Sequence, residues 1–265
     1  MSGTDAEPTR HVLADPQSLQ AFAADRVCEV IRDAAERRGV CRIALSGGST
    51  PKGLYRLLAG RELPWETTHW FWGDERNVAA DHPDSNARMV REALLDHVPV
   101  PRENVHPVPV NPASPAAAAE AYEATLREAF GDSPWPDWDL TLLGMGDDAH
   151  TASLFPETAA IGRRDRWFLE NWVEKLGTYR YTLTVPAINS GREIWFLVAG
   201  EGKREAYRQV TGAARDPDRY PAQSIRPTRW LVTADVLGDD HFGEGLPTTG
   251  RPDTGDHPHT MDPPQ

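Results

Sequence analysis

Short apolar runs alternate with amphipathic segments along most of this chain. Helical spacing begins at Asp15-Pro16, with Leu19, Phe22, Val27, Val30 and Ile31 recurring up to Gly39. Residues 41–45 are a short apolar run that ends in Ser-Gly-Gly-Ser-Thr, which predicts a strand and a glycine turn. Pro51 stands where a helix can begin, and Leu54, Leu57 and Leu58 carry the pattern to Gly60. The alternation then repeats. Strands are predicted over 69–73, 105–110 and 139–143, separated by helices over 85–97 and 115–130. Further strands follow at 167–173, 180–185, 193–199 and 229–232, with a helix over 203–210. Such alternation predicts an α/β fold: a mostly parallel, Rossmann-like sheet in three layers, with helices on both faces.

Residues 1–15 lack this periodicity and are expected to be a frayed start. Residues 16–236 are expected to form a single α/β domain, large enough to bury its core without disulfide or metal staples. Residues 237–265 are rich in Gly, Pro and Asp, and are expected to be a disordered acidic tail. No apolar run approaches about 18 residues, so no membrane-spanning helix is expected. The polar, acidic start has no apolar stretch of the kind a secretory signal needs. Cys28 and Cys41 are the only cysteines, too few for a disulfide scaffold or a thiolate metal site, and they fit a cytoplasmic protein. No helix presents an obviously unpaired apolar face, so a monomer is expected.

Charge narrows the possibilities further. The formal net charge is -12, from 28 basic and 40 acidic residues. Neither that balance nor any basic stripe suits a nucleic-acid binder. An anionic ligand would not be drawn in by the whole-protein field, so a site for one has to be built locally. Lysine is also scarce. Only Lys52, Lys175 and Lys203 occur among the 28 basic residues, which sets those three positions apart.

Ligands of open α/β sheets bind beyond the carboxyl ends of the strands, and four polar clusters fall at such ends. Residues 46–51 (Ser-Gly-Gly-Ser-Thr-Pro) suit an anion cradle, since Gly47 and Gly48 let the backbone approach a ligand and Ser49 and Thr50 add donors. The same residues also suit an ordinary strand-to-helix turn with Ser49 or Thr50 as the cap. Asp74-Glu75-Arg76 reads either as an arginine fork oriented by carboxylates or as a surface charge cluster. In Gly144-Met145-Gly146-Asp147-Asp148-Ala149-His150, an imidazole stands at a possible helix start beside carboxylates. Such a histidine can accept a proton from water, with Asp148 orienting it, although a lone histidine is more often structural. The stretch also fits a loose G-x-G-x-x-A dinucleotide pattern, but it lies too late in the chain for that fingerprint. Lys203, after Gly200-Glu201-Gly202, can present an ammonium to a phosphate or can simply be exposed, and Arg180 is a weaker candidate of the same kind.

Taken in order, these segments resemble the 6-phosphogluconolactonase family, on the glucosamine-6-phosphate isomerase/deaminase type of fold. The resemblance is carried by SGGSTP (46–51), WGDER (72–76), DHPDSN (81–86), DLTLLGMGDDAHTASLFP (139–156), RYTLTVPAIN (180–189) and GEGK (200–203). HTASLFP is its most specific part, because the related deaminases turn there toward a Phe-Asn-Glu run. Three departures stand out. Asp148-Ala149-His150 replaces Asp-Gly-His, Leu176-Gly177-Thr178-Tyr179 replaces a proline-rich approach to the strand, and Thr233 replaces an acid.

The resemblance implies hydrolysis of 6-phospho-D-glucono-1,5-lactone to 6-phosphogluconate in the pentose phosphate pathway. It casts His150 as general base and Asp148 as its partner. Gly47, Gly48, Ser49, Thr50, Asp74, Arg76, Asn86, Arg180 and Lys203 would bind substrate. It implies no cofactor, no metal, no nucleic acid and no membrane, and a functional link to glucose-6-phosphate dehydrogenase. Two alternatives share the phosphate cradle: an amino-sugar-phosphate deaminase or isomerase, and a non-catalytic sugar-phosphate sensor, for which Ala149 is the only support.

Overall fold

Sequence periodicity becomes structure in a fixed order. A computed structural model describes residues 7–238. The acidic tail expected over 237–265 therefore lies outside the described residues, apart from Leu237 and Gly238. In chain order the elements are β1 (Thr9–Leu13), α1 (Pro16–Arg38), β2 (Cys41–Leu45), α2 (Ser49–Ala59), β3 (Thr68–Trp72), β4 (Asp74–Arg76), α3 (Asn86–Ala93), β5 (Val105–His106) and α4 (Pro115–Phe130). They continue as β6 (Leu140–Leu143), β7 (Phe168–Val173), β8 (Thr178–Leu183), α5 (Val185–Asn189), β9 (Glu193–Val198), α6 (Arg204–Thr211), β10 (Arg229–Thr233) and α7 (Ala234–Leu237).

Seven strands form one parallel sheet in the order β1-β10-β9-β6-β2-β3-β5. Its central members β2, β3, β6 and β9 are almost wholly buried, which is why they read as continuous apolar runs. The chain moves one way across the sheet through β1, β2, β3 and β5, then returns through β6, β9 and β10. Right-handed crossovers therefore put α1, α2 and α3 on one face and α4 and α6 on the other. The direction reverses between the neighbours β2 and β6, and the crevice beyond their carboxyl ends is where such a sheet binds ligands. No helix among the described residues is long and apolar enough to cross a membrane.

The structure corrects the sequence-based expectation in four places. Residues 9–13 are not frayed: they form an edge strand paired with β10 from Thr9↔Arg229 to Leu13↔Thr233. Residues 105–110 keep only two strand residues, because Pro107 and Pro109 have no N–H to give a ladder. Residues 167–173 and 180–185 do not extend the parallel sheet. As β7 and β8 they join β4 in a separate antiparallel sheet, ordered β4-β8-β7. The turn between β7 and β8 is too short for the crossover that parallel pairing needs. Finally, the helix over 85–97 stops at Ala93, where Leu94 leaves helical geometry with φ -138°.

Candidate active site

A cavity of about 460 Å³ opens at the carboxyl ends of β2, β6 and β9, roofed by the small antiparallel sheet. On one side lies the turn after β2. Tyr55 of α2, fully buried, fixes its start by accepting from Ser46 N (3.0 Å) and donating to Ser46 O (2.8 Å). Gly48, with φ 104°, caps α2, and no side chain bonds the first-turn N–H groups. Ser49 and Thr50 are thus the first residues of the helix rather than its cap, and both line the cavity with Gly47 and Gly48. Free N–H groups at a helix start favour an anion. Gly47 is required for a separate reason: a Cβ there would stand 2.0 Å from Asn86 Oδ1. Asn86, expected to bind substrate, lies behind that glycine and outside the cavity lining. Its Nδ2 donates to Asp74 O (3.0 Å).

Asp74-Glu75-Arg76 is not a surface cluster. The segment is β4, with Glu75 only 1% exposed. Glu75 accepts from the N–H groups of Arg76 (2.8 Å), Asn86 (2.7 Å) and Ala87 (2.7 Å), so it ties β4 to the start of α3. Burial pushes its carboxyl up from the ordinary range, against the pull of those three donors. Asp74, also buried, faces the cavity and accepts from Ser153 Oγ (2.9 Å). Arg76 lines the same cavity, steadied by Nη1 donating to Asp84 O (2.6 Å). Directly across the ladder is Arg180 on β8. Burial first, and then Arg76, holds the Arg180 guanidinium below its usual value. Like charges opposed across a ladder repel unless an anion lies between them. Lys203, in the 3-10 turn before α6, adds a further cation from the end of β9.

On the other side lies the loop after β6. No helix begins at His150. The backbone instead passes through positive φ at Ala149 (62°) and Ala152 (47°), which a right-handed helix forbids. The loop is closed by Gly146 N donating to His150 O (2.8 Å) and by Thr151 Oγ1 donating to Gly144 O (2.8 Å). Within it His150 Nδ1 lies 2.5 Å from Asp148 Oδ1. An ionised carboxylate only accepts, so Nδ1 carries the proton of this contact, and in the neutral ring Nε2 is the acceptor. Burial would raise the Asp148 carboxyl, but hydrogen bonds from His150 and Lys175 outweigh it and hold the group well below the usual carboxylate range. Phe155 stacks on the imidazole with ring centroids 4.1 Å apart. Gly146 makes room for the pair: a Cβ there would lie 2.1 Å from His150 Nδ1.

The structure thus brings His150 together with Gly47, Gly48, Ser49, Thr50, Asp74, Arg76, Arg180 and Lys203 around one cavity, with Asp148 bonded behind His150. Asn86 is the expected residue it leaves out. Sequence reasoning missed Ser153, Phe155 and Lys175 as parts of the site. The first two lie in the HTASLFP run, and Lys175 is one of the chain's three lysines.

A pocket at the switch point that gathers several cations, with an oriented imidazole in its wall, defines an α/β protein with a site suited to a small anion. The chain belongs to the family described as glucosamine-6-phosphate isomerases/6-phosphogluconolactonase, whose model matches residues 14–234. It is 46% identical to the 6-phosphogluconolactonase of Synechocystis sp., over 90% of this chain and 98% of that one. It is also 46% identical to the 6-phosphogluconolactonase of Nostoc sp., over 85% and 95% of the two chains. Its fold matches the solved 6-phosphogluconolactonase of Trypanosoma brucei with a TM-score of 0.77 at 29% identity, over 87% of this chain and 97% of that one.

Proposed function

We propose that this protein hydrolyses 6-phospho-D-glucono-1,5-lactone to 6-phospho-D-gluconate, with His150 as the general base. The observation that carries this is the Asp148–His150 pair, set in the wall of a pocket that also carries the Arg76, Arg180 and Lys203 side chains and the open start of α2. His150 Nε2 takes a proton from water as its oxygen attacks the lactone carbonyl carbon. The tetrahedral intermediate collapses, the bond from that carbon to the ring oxygen breaks, and the imidazolium returns its proton to that oxygen. The new acid ionises to the product carboxylate, and His150 ends neutral. A positioned base of this kind contributes about 10²–10⁴-fold. Asp148 holds the tautomer and stabilises the imidazolium as it forms.

Arg76, Lys203 and the Ser49-Thr50 turn hold the 6-phosphate. That handle is remote from the bond broken, so its binding energy serves to place the carbonyl against the water. The N–H groups of the Gly47-Gly48 turn and Arg180 are the donors available to the oxyanion. The enzyme belongs with a glucose-6-phosphate dehydrogenase, whose product is the lactone it consumes. Cys28 and Cys41, both free and buried, support a reducing, cytoplasmic setting.

The test is decay of freshly generated lactone against its spontaneous background, with ammonia release from glucosamine-6-phosphate run in parallel. Strong acceleration of the first and none of the second is expected. Ammonia release would make the protein a deaminase. Binding of 6-phosphogluconate with no turnover of either substrate would make it a sensor.

A further inference from the structure

Asp148 divides its two oxygens between two partners. Oδ1 accepts from the His150 ring and from His150 N (3.1 Å), and Oδ2 accepts from Lys175 Nζ. Lys175 sits in the 3-10 turn Glu174–Leu176 that joins β7 to β8, and Gly177 closes this turn in the left-handed region with φ 59°. The turn overhangs the cavity, and Lys175 reaches back across it. Its ammonium lies 5.0 Å from the centroid of the Phe155 ring, the same ring that stacks on His150. The lysine therefore meets the imidazole's two supports, the carboxylate and the aromatic face.

The consequence for the base is electrostatic. A carboxylate bonded to an imidazole favours the imidazolium, which cannot accept a proton from water. An ammonium on the other oxygen offsets that pull. We propose that Lys175 is a positioning residue for the Asp148–His150 pair, fixing the carboxylate and cancelling enough of its charge to leave the imidazole a free base near neutral pH. This role presupposes that His150 is the base.

Other charges surround the pair without touching Asp148. Asp147 is in the same loop. Glu174 on the lysine's own turn bonds Trp172 Nε1 instead (2.6 Å). Glu157, Glu170 and Arg163 line a neighbouring cavity of about 850 Å³, which also reaches Asp148. From the substrate side come Asp74, Arg76, Arg180 and Lys203. Among the described residues the side-chain partners of Asp148 are His150 and Lys175.

The test compares Lys175→Met, which keeps the stem and removes the charge, with Lys175→Arg, which keeps the charge. Two quantities are followed from about pH 5 to 8, the range in which imidazoles titrate. One is the NMR titration of the His150 ring in the ligand-free protein. The other is the acid limb of kcat/KM for lactone hydrolysis. In Lys175→Met both are expected to move up by about one pH unit, the effect of one charge at this range in a partly solvated site. In Lys175→Arg both are expected to stay at the wild-type position. The role is overturned if either quantity stays put in Lys175→Met, or if Lys175→Arg shifts as far as Lys175→Met. A rise in KM with an unmoved limb also overturns it, and assigns Lys175 to substrate contact instead. Failure here is separable from failure of the base itself. An active His150→Ala enzyme removes His150 from the mechanism, whereas an inactive one beside an unshifted Lys175→Met removes only Lys175.

Discussion

After β2 the chain turns through Gly47 and Gly48, and after β6 it turns through Gly146, Ala149 and Ala152. Both turns leave neighbouring parallel strands at the switch point, and both line one cavity. They differ in how the backbone is held. In the first, the positive φ falls on glycine, Gly48, which adopts it freely. In the second it falls on two alanines, each disfavoured there by about 1–2 kcal/mol. Ala149 is held in that state by its surroundings. It is fully buried, its N–H donates to Gly146 O (3.2 Å), and its carbonyl accepts from Ala222 N (3.0 Å). The glycine turn after β2 is thus set by local sequence, and the loop bearing the imidazole by tertiary packing. Backbone strain falls on the loop that carries the proposed base and not on the turn proposed to hold the phosphate, consistent with that proposed division of labour.

Substitutions can break this comparison, in order of expected effect. Short of removing the imidazole, the largest is Gly146→Ala. Its new methyl collides with His150 Nδ1 and Asp148 Oδ1, so kcat should fall by about 10²-fold while 6-phosphogluconate still binds. Steady-state kinetics and calorimetric binding together would check it, and equal loss of both would contradict the separation of the two sides. Lys203→Ala should do the opposite. It should weaken 6-phosphogluconate binding and raise KM by about tenfold, the worth of one charge-assisted hydrogen bond, with a smaller fall in kcat because the phosphate handle also places the carbonyl. The smallest effect is expected from Ala149→Gly. Relief of the left-handed strain is partly offset by the freer unfolded chain, leaving a gain of about 0.5 kcal/mol in chemical denaturation. Its turnover should remain close to wild type, since the Asp148–His150 bond does not depend on the alanine methyl.

How far the molecule could be read in advance follows the same line. β2, β3, β6 and β9 announce themselves because burial on both faces leaves an unbroken apolar run before a polar turn. β1 and β4 do not. β1 is an edge strand with Val12 exposed at 43%, and its order comes from pairing with β10. β4 is three charged residues, of which Asp74 and Glu75 are buried, Glu75 satisfied by three N–H groups from its own strand and α3. No periodicity encodes that. Most of the expected site residues converge, since nearly all sit just beyond a strand that could be read; Arg180 instead comes from within β8, across the ladder from Arg76. Asn86 departs because the close approach of Gly47 puts it behind the backbone rather than in front of it. Lys175 carried one signal, its rarity among arginines, and its partner Asp148 in the loop after β6 became visible only in three dimensions.

The central claim is that the imidazole oriented by Asp148 does the chemistry while the cationic wall does the holding. The most direct measurement is lactone decay with His150→Ala beside the wild type, paired with the affinity of the variant for 6-phosphogluconate. A loss of about 10²–10⁴-fold in rate with near-wild-type affinity is the predicted result. A variant that hydrolyses the lactone at the wild-type rate would contradict the account.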